Sequence, residues 1–175
     1  TDHSFIAQPP RATILYGIDI PATGGDTSFC DMRAAYAALP ADMKARIDGL
    51  SAVHCYQSSR SPVPMLTRTD DEVVKTPDVV HPLVLKHPRT GAKALYMSTT
   101  RLDRIQGMER AQSDALIDEL FAHATQSRFQ YHHKWHAGDM VIWDNLCSMH
   151  HANGGLPQGA KRYLHRALLA NDTIQ

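Results

Sequence analysis

Apolar residues in this chain come in short runs, broken by proline, glycine and polar turns, and one segment carries a sustained helical period. Residues 12–20 (ATILYGIDI) are apolar and β-branched and predict a strand, which Pro21 and the Gly24-Gly25 pair end. Residues 31–39 have helical spacing, and Pro40 separates them from a second short helix over 41–47. Residues 57–78 mix Pro, Ser, Thr and charge without a period and predict a long surface loop, a lid candidate. Strands are predicted over 81–86 and 92–98, joined by a Pro- and Gly-rich turn at 87–91. Residues 109–125 are the clearest helix, with Leu116, Leu120, Phe121 and Ala124 on one stripe. Further strands follow over 129–135, 140–143 and 162–169. Many short strands, few helices and one long insertion predict a mainly β fold with flanking helices, a barrel or jelly roll.

Composition narrows the function more than the fold. At 175 residues, with 43% hydrophobic and 21% charged residues, the chain fits one ordered domain over 1–175. Eighteen basic residues balance eighteen acidic ones, which argues against nucleic acid as a partner. No apolar run reaches the roughly 20 residues of a membrane span. The three cysteines are widely spaced and odd in number, which points to a reducing compartment, taken as the cytoplasm. Eleven histidines invite reasoning about metal sites.

His150 and His151 are adjacent, so on a strand only one of them can face a given interior. Arg162 and Arg166 differ by four and share a strand face. Two guanidiniums on one side suit bidentate capture of a carboxylate or similar oxyanion, unless that side is solvent. The Gly24-Gly25-Asp26-Thr27 run is a turn that lacks the spacing and lysine of a phosphate loop. There is no G-x-S-x-G elbow, no CxxC and no HExxH, so serine hydrolases and the common zinc signatures are disfavoured. A mixed His/carboxylate set stays open, and two histidines with one carboxylate is the set that favours Fe(II) and O2 chemistry.

Four stretches, in order, make a recognisable series: Thr1-Asp2-His3-Ser4-Phe5, Gly24-Gly25-Asp26-Thr27, Trp143-Asp144-Asn145 through His150, and Arg162 through Arg166. Over nearly its whole length the chain resembles the C-terminal and larger part of the taurine dioxygenase-like (TauD/TfdA) family of Fe(II)- and 2-oxoglutarate-dependent dioxygenases. The resemblance implies a double-stranded β-helix, or jelly roll, whose N-terminal part precedes Thr1. It implies Asp2 and His150 as metal ligands, with the family's first histidine immediately before Thr1 and His3 no substitute for it. It implies that Thr27 and Arg162 hold 2-oxoglutarate and that Arg166 meets the anionic group of a small substrate; Tyr56 and the segment from Tyr96 to Thr100 are expected to line its organic part. The cofactors are then Fe(II), 2-oxoglutarate and O2, the products include succinate and CO2, and a homo-oligomer is compatible with the reading. Two other classes compete. A non-catalytic jelly-roll module would keep Arg162 and Arg166 for anion binding without metal. A zinc-dependent hydrolase would use the same ligands but has no need of Thr27 and Arg162.

Overall fold

The computed structural model describes residues 1–63 and 69–171. It is mainly β. In chain order the strands are β1 (Ala12–Asp19), β2 (Thr27–Asp31), β3 (Ser51–His54), β4 (Val79–Pro82), β5 (Val84–Lys86) and β6 (Lys93–Leu95), then β7 (Leu102–Ile105), β8 (Gln130–His133), β9 (Met140–Asp144), β10 (Ser148–Ala152) and β11 (Tyr163–Leu169). The helices are α1 (Met32–Ala37), α2 (Ala41–Ile47), α3 (Asp70–Lys75) and α4 (Arg110–Ala124). Three three-stranded sheets form, in the orders β11-β1-β9, β10-β2-β8 and β4-β3-β7, with β5 and β6 as a separate pair. All strand pairings among the described residues are antiparallel.

Local chemistry sets the joints. Asp31 closes β2 and caps α1, its carboxylate accepting the N–H groups of Arg33 at 3.0 Å and Ala34 at 3.2 Å. Pro40 follows α1 and opens α2, where its missing N–H costs nothing. Helix α4 buries Ser113, Leu116, Ile117, Leu120 and Ala124, one stripe at helical spacing, against a core that includes Met32, Ile47, Leu95, Met97, Leu102 and Ile105. The buried Ser113 hydroxyl is satisfied by the Ile105 N–H at 2.8 Å.

Two expectations change in detail. The strand over 81–86 is divided between β4 and β5, because Pro82 has no N–H with which to continue the ladder. Leu83 instead donates to the Leu50 carbonyl at 2.9 Å and accepts from the Tyr96 N–H at 2.8 Å. Within the long loop over 57–78, a capping box between Thr69 and Glu72 starts α3, while residues 64–68 lie outside the described residues. The loop's first turn is tied down: Arg60 pairs with Asp114 at 2.6 Å and with Asp118, and Ser59 donates to Asp103 at 2.8 Å.

Cross-strand register decides what faces what. Directly opposed residues share a sheet face, and residues two apart along a strand do as well. In the first sheet Thr13 lies opposite Trp143, and Leu15 opposite Arg166, so Thr13, Trp143 and Arg166 share one face. In the second, His150 lies opposite Phe29 and Ala152 opposite Thr27, so His150, Phe29 and Thr27 share one face while His151 joins Ser28 on the other. The two faces meet where Phe29 and Trp143 bring their ring centroids within 5.3 Å. Among the described residues no helix is long and apolar enough to cross a membrane.

Candidate metal centre

His150 points into the space between these faces, and the segment before β1 runs back across it. Asp2 Oδ1 lies 3.7 Å from His150 Nε2, although the two residues are far apart in the chain. A hydrogen-bond chain fixes the carboxylate. The buried Asn145 side-chain oxygen accepts the Trp143 indole N–H at 3.1 Å and the Asp2 backbone N–H at 3.0 Å. Its nitrogen therefore faces away and donates to Thr13 Oγ1 at 2.8 Å. With one of its two lone pairs taken by the amide, the Thr13 hydroxyl donates its own proton to Asp2 Oδ2 at 2.6 Å. Arg166 Nη2 completes the set, 3.0 Å from the same oxygen.

Electrostatics leave both groups ready to act as ligands. Burial pushes the Asp2 carboxyl up, but the Thr13 hydrogen bond, His150 and Arg166 outweigh it and hold the pKa below the ordinary value. Burial pushes His150 down to about 4, so its ring is neutral and keeps the lone pair a metal needs. The Trp143 ring lies against it, centroids 4.7 Å apart. Asp2, His150 and Arg166 line a cavity of about 300 Å3 together with Thr99, Thr100 and Arg101.

The pair expected to hold the keto acid sits on neighbouring elements. Thr27 is buried on β2, and its Oγ1 accepts the Trp135 indole N–H at 3.0 Å. Arg162 precedes β11; its guanidinium lies 5.9 Å from the Trp135 ring centroid, and its buried Nε has no hydrogen-bond partner among the described residues. Gly25, at φ +73°, makes the close approach possible, since a Cβ there would lie 2.7 Å from Arg162 Cδ and 2.9 Å from Nε.

Other expected residues fall elsewhere. Tyr96 is only 1% exposed and packs against His54 and His81, with ring centroids 5.6 and 5.4 Å away. Tyr56 stacks edge-on against Phe5 and lines a separate small cavity with Glu72, Lys75 and Thr76. Neither tyrosine is brought to the cavity at Asp2; of the expected segment from Tyr96 to Thr100, it is Ser98, Thr99 and Thr100 that line it. His3 lines that cavity but forms no metal-spanning group with Asp2 and His150. Thr13 was not singled out by sequence reasoning, and Trp135 stood only in a family-like turn, Trp135-x-x-Gly138-Asp139, with no role given to it. Asn145 stood in a quoted motif, but a buried amide that steers a threonine proton leaves no mark in spacing or periodicity.

Among the described residues one trio, His87, Asp144 and Cys147, brings possible ligand atoms within 4.8 Å. Its hydrogen bonds argue against an ion. The N–H groups of Arg89 and Thr90 donate to His87 Nδ1 at 3.3 and 3.2 Å, so Nε2 carries the proton and gives it to Asp144 at 2.9 Å. Burial, with Asp144 adding, pushes the Cys147 thiol up to about 11.

The segment bearing Asp2 is anchored one turn further on. His81 Nε2 donates to the Ser4 carbonyl at 2.9 Å, and His54 Nδ1 lies 2.9 Å from the Ser4 hydroxyl. Burial, with His81 adding, pushes His54 from 6.5 to about 3. The unfolded chain thus binds a proton that the folded one refuses between these values. Stability is full above about pH 6.5 and falls as the pH drops toward 3. At pH 5 the loss is about 2 kcal/mol, at 1.4 kcal/mol per unit. Urea midpoints at pH 7.5 and 5 should show it, and His54→Gln should flatten the dependence. An unaltered slope in that variant rules out His54 as the source.

Comparison with known proteins agrees with this geometry. The profile of the "Taurine catabolism dioxygenase TauD, TfdA family" matches residues 1–168. The chain is 37% identical over 174 residues to the alpha-ketoglutarate-dependent 2,4-dichlorophenoxyacetate dioxygenase of Cupriavidus pinatubonensis, covering 99% of this chain and 60% of that protein. It is 36% identical over 157 residues to the (S)-phenoxypropionate/alpha-ketoglutarate-dioxygenase of Sphingobium herbicidovorans, covering 86% and 54%. The chain thus spans little more than half the length of these relatives. Among solved structures, AAD-2 in complex with Mn(II) and N-oxalylglycine superposes with a TM-score of 0.90 at 36% identity, covering 99% of this chain and 69% of that one.

Proposed function

The chain belongs to the TauD/TfdA dioxygenase family, and from that membership we propose that it is the larger part of an Fe(II)- and 2-oxoglutarate-dependent dioxygenase that hydroxylates a small organic anion. The observation that carries the proposal is the approach of Asp2 to His150 within 3.7 Å beside Arg166. The strands around them are read as a double-stranded β-helix, with the two facing sheets enclosing the site. The residues fit the absent groups: a carboxylate and a neutral imidazole make a hard, mixed donor pair for Fe(II), and the orphaned Arg162 Nε beside Gly25 is a cradle for a carboxylate.

Asp2 and His150 would hold the metal, with the histidine expected ahead of Thr1 as third ligand. When bound, ferrous iron supplies O2 activation coupled to conversion of 2-oxoglutarate to succinate and CO2. The protein's own part is positioning. Thr13, fixed by Asn145, keeps the Asp2 carboxylate in one rotamer and ionised. Thr27 and Arg162 would take the far carboxylate of the keto acid, which turns an encounter into an intramolecular reaction. Arg166 spends one of its five N–H groups on Asp2 and is 44% exposed, so the others can meet a substrate anion. A cavity of about 300 Å3 suits a small acid, and the phenoxyalkanoate relatives put aryloxy acids first in order, ahead of sulfonates and sulfate esters. Free, buried cysteines fit residence in a reducing compartment, the cytoplasm.

The test is succinate release by the intact iron-loaded protein, offered phenoxyacetate, alkylsulfonate, alkyl sulfate and an uncharged analogue. Stimulation by at least one anion is expected. Metal binding without consumption of 2-oxoglutarate would sink the oxygenase reading, and stimulation by the uncharged compound alone removes Arg166 from substrate binding.

A further inference from the structure

Two threonines on opposite sheets face the same region, and each accepts a hydrogen bond from a group that can only donate in that direction. At Thr13 the arrangement is complete. Asn145 Nδ2 occupies one lone pair of the hydroxyl at 2.8 Å, and the hydroxyl proton goes to the Asp2 carboxylate at 2.6 Å. At Thr27 the first half is present. The Trp135 indole N–H, which is a donor only, occupies one lone pair of Thr27 Oγ1 at 3.0 Å in a buried bond, so the hydroxyl proton cannot point toward the indole. The hydroxyl is left with one proton to give. The nearest provision for an anion is Arg162, held 5.9 Å from the Trp135 ring centroid with an unpartnered, buried Nε. His133 packs edge-on against the indole, centroids 4.6 Å apart, which fixes the ring plane and the direction of its N–H.

We propose that Trp135 is a positioning residue for the keto-acid cosubstrate: its N–H commits the Thr27 hydroxyl to donate, and its ring carries the Arg162 guanidinium, so that both present hydrogens to one carboxylate. This rests on the reading of Thr27 and Arg162 as the 2-oxoglutarate site. Without the indole N–H the hydroxyl is free to turn its proton elsewhere, and the carboxylate meets a lone pair for part of the time. The consequence is a preference for a fully ionised carboxylate over a neutral acceptor at this position.

The intact protein loaded with Mn(II) and titrated calorimetrically with N-oxalylglycine provides the test. Trp135→Phe keeps a ring under Arg162 and removes the donor; 3-benzothienylalanine at 135 keeps the bicyclic shape as well, and serves if the phenylalanine variant does not fold. Either should raise the dissociation constant about three- to tenfold, the effect of one neutral hydrogen bond. In a Thr27→Val background the same replacements should add almost nothing, because the hydroxyl they direct is gone. With Trp143 replaced by Phe, emission from Trp135 should change on ligand binding, a signature that remote packing would not produce. Full additivity with Thr27→Val, or an unchanged affinity in both Trp135 variants while Thr27→Val and Arg162→Ala lose it, overturns the role of Trp135. Unchanged affinity in Thr27→Val and Arg162→Ala as well overturns the underlying site.

Discussion

Replacing Asp2 with Asn is expected to cost the intact protein at least about a hundredfold in Mn(II) or Fe(II) affinity, beyond the range seen for loss of a supporting partner alone. The amide is nearly isosteric and can still accept from the Thr13 hydroxyl, so the fold around Asn145 should hold. What disappears is the charge that Thr13, His150 and Arg166 keep ionised against the opposing effect of burial. Asp2→Ala should lose metal equally and also destabilise the protein, since it strands the Thr13 hydroxyl and the Arg166 guanidinium beside each other. Calorimetric titration with Mn(II), with urea unfolding alongside, separates the two effects. Wild-type metal affinity in a folded Asp2→Asn protein would remove Asp2 from the centre.

The second large effect falls on Arg162. If it holds 2-oxoglutarate as proposed, its loss would remove a charge-assisted, two-point contact worth roughly 1.5–3 kcal/mol. The apparent KM for 2-oxoglutarate in the intact enzyme should therefore rise about ten- to a hundredfold, at 1.4 kcal/mol per decade. Arg166→Ala should instead weaken the substrate anion and increase turnover in which 2-oxoglutarate is consumed without product. If Arg162→Ala leaves the dependence on 2-oxoglutarate untouched, the keto-acid site lies elsewhere.

Elements with strong local signals were readable. Helix α4 and strands β1, β9 and β11 fall within a residue or two of their predicted bounds, because the apolar pattern of each dominates its segment. Strands β2, β3 and β7 were missed. β2 (TSFCD) is short and wedged between a glycine turn and a helix cap, so the flanking punctuation masked it. β3 and β7 exist as partners of each other and of β4, a tertiary fact with little local trace. At the site, the adjacency of His150 and His151 already required that one face away, and register bears this out. The placement of Asp2 beside His150 came from family resemblance alone, since nothing local joins the two ends of the chain. Tyr96 shows the limit in the other direction: an amphipathic side chain between apolar neighbours reads equally as pocket wall or core, and burial decided for core.

The segment that carries Asp2 is tied to β9 and β10 through contacts of extreme sequence separation. Asp2 meets Asn145 across 143 residues, and the Thr1 hydroxyl meets the Ser148 carbonyl at 3.0 Å across 147. Closing a loop that long costs chain entropy before any contact rewards it, so these bonds form late in folding. If Asp2 and His150 hold iron as proposed, the ion would report completed folding: until these contacts close, the chain has no paired carboxylate and imidazole to offer. An ion bound there would favour the closed form by RT ln(1 + c/Kd), where c is the free ion concentration. On the proposed reading of Asp2 and His150 as ligands, the metal would act as a clasp between the segment bearing Asp2 and β10, and hydrogen exchange without metal should show residues 1–6 opening before the α4 core gives way.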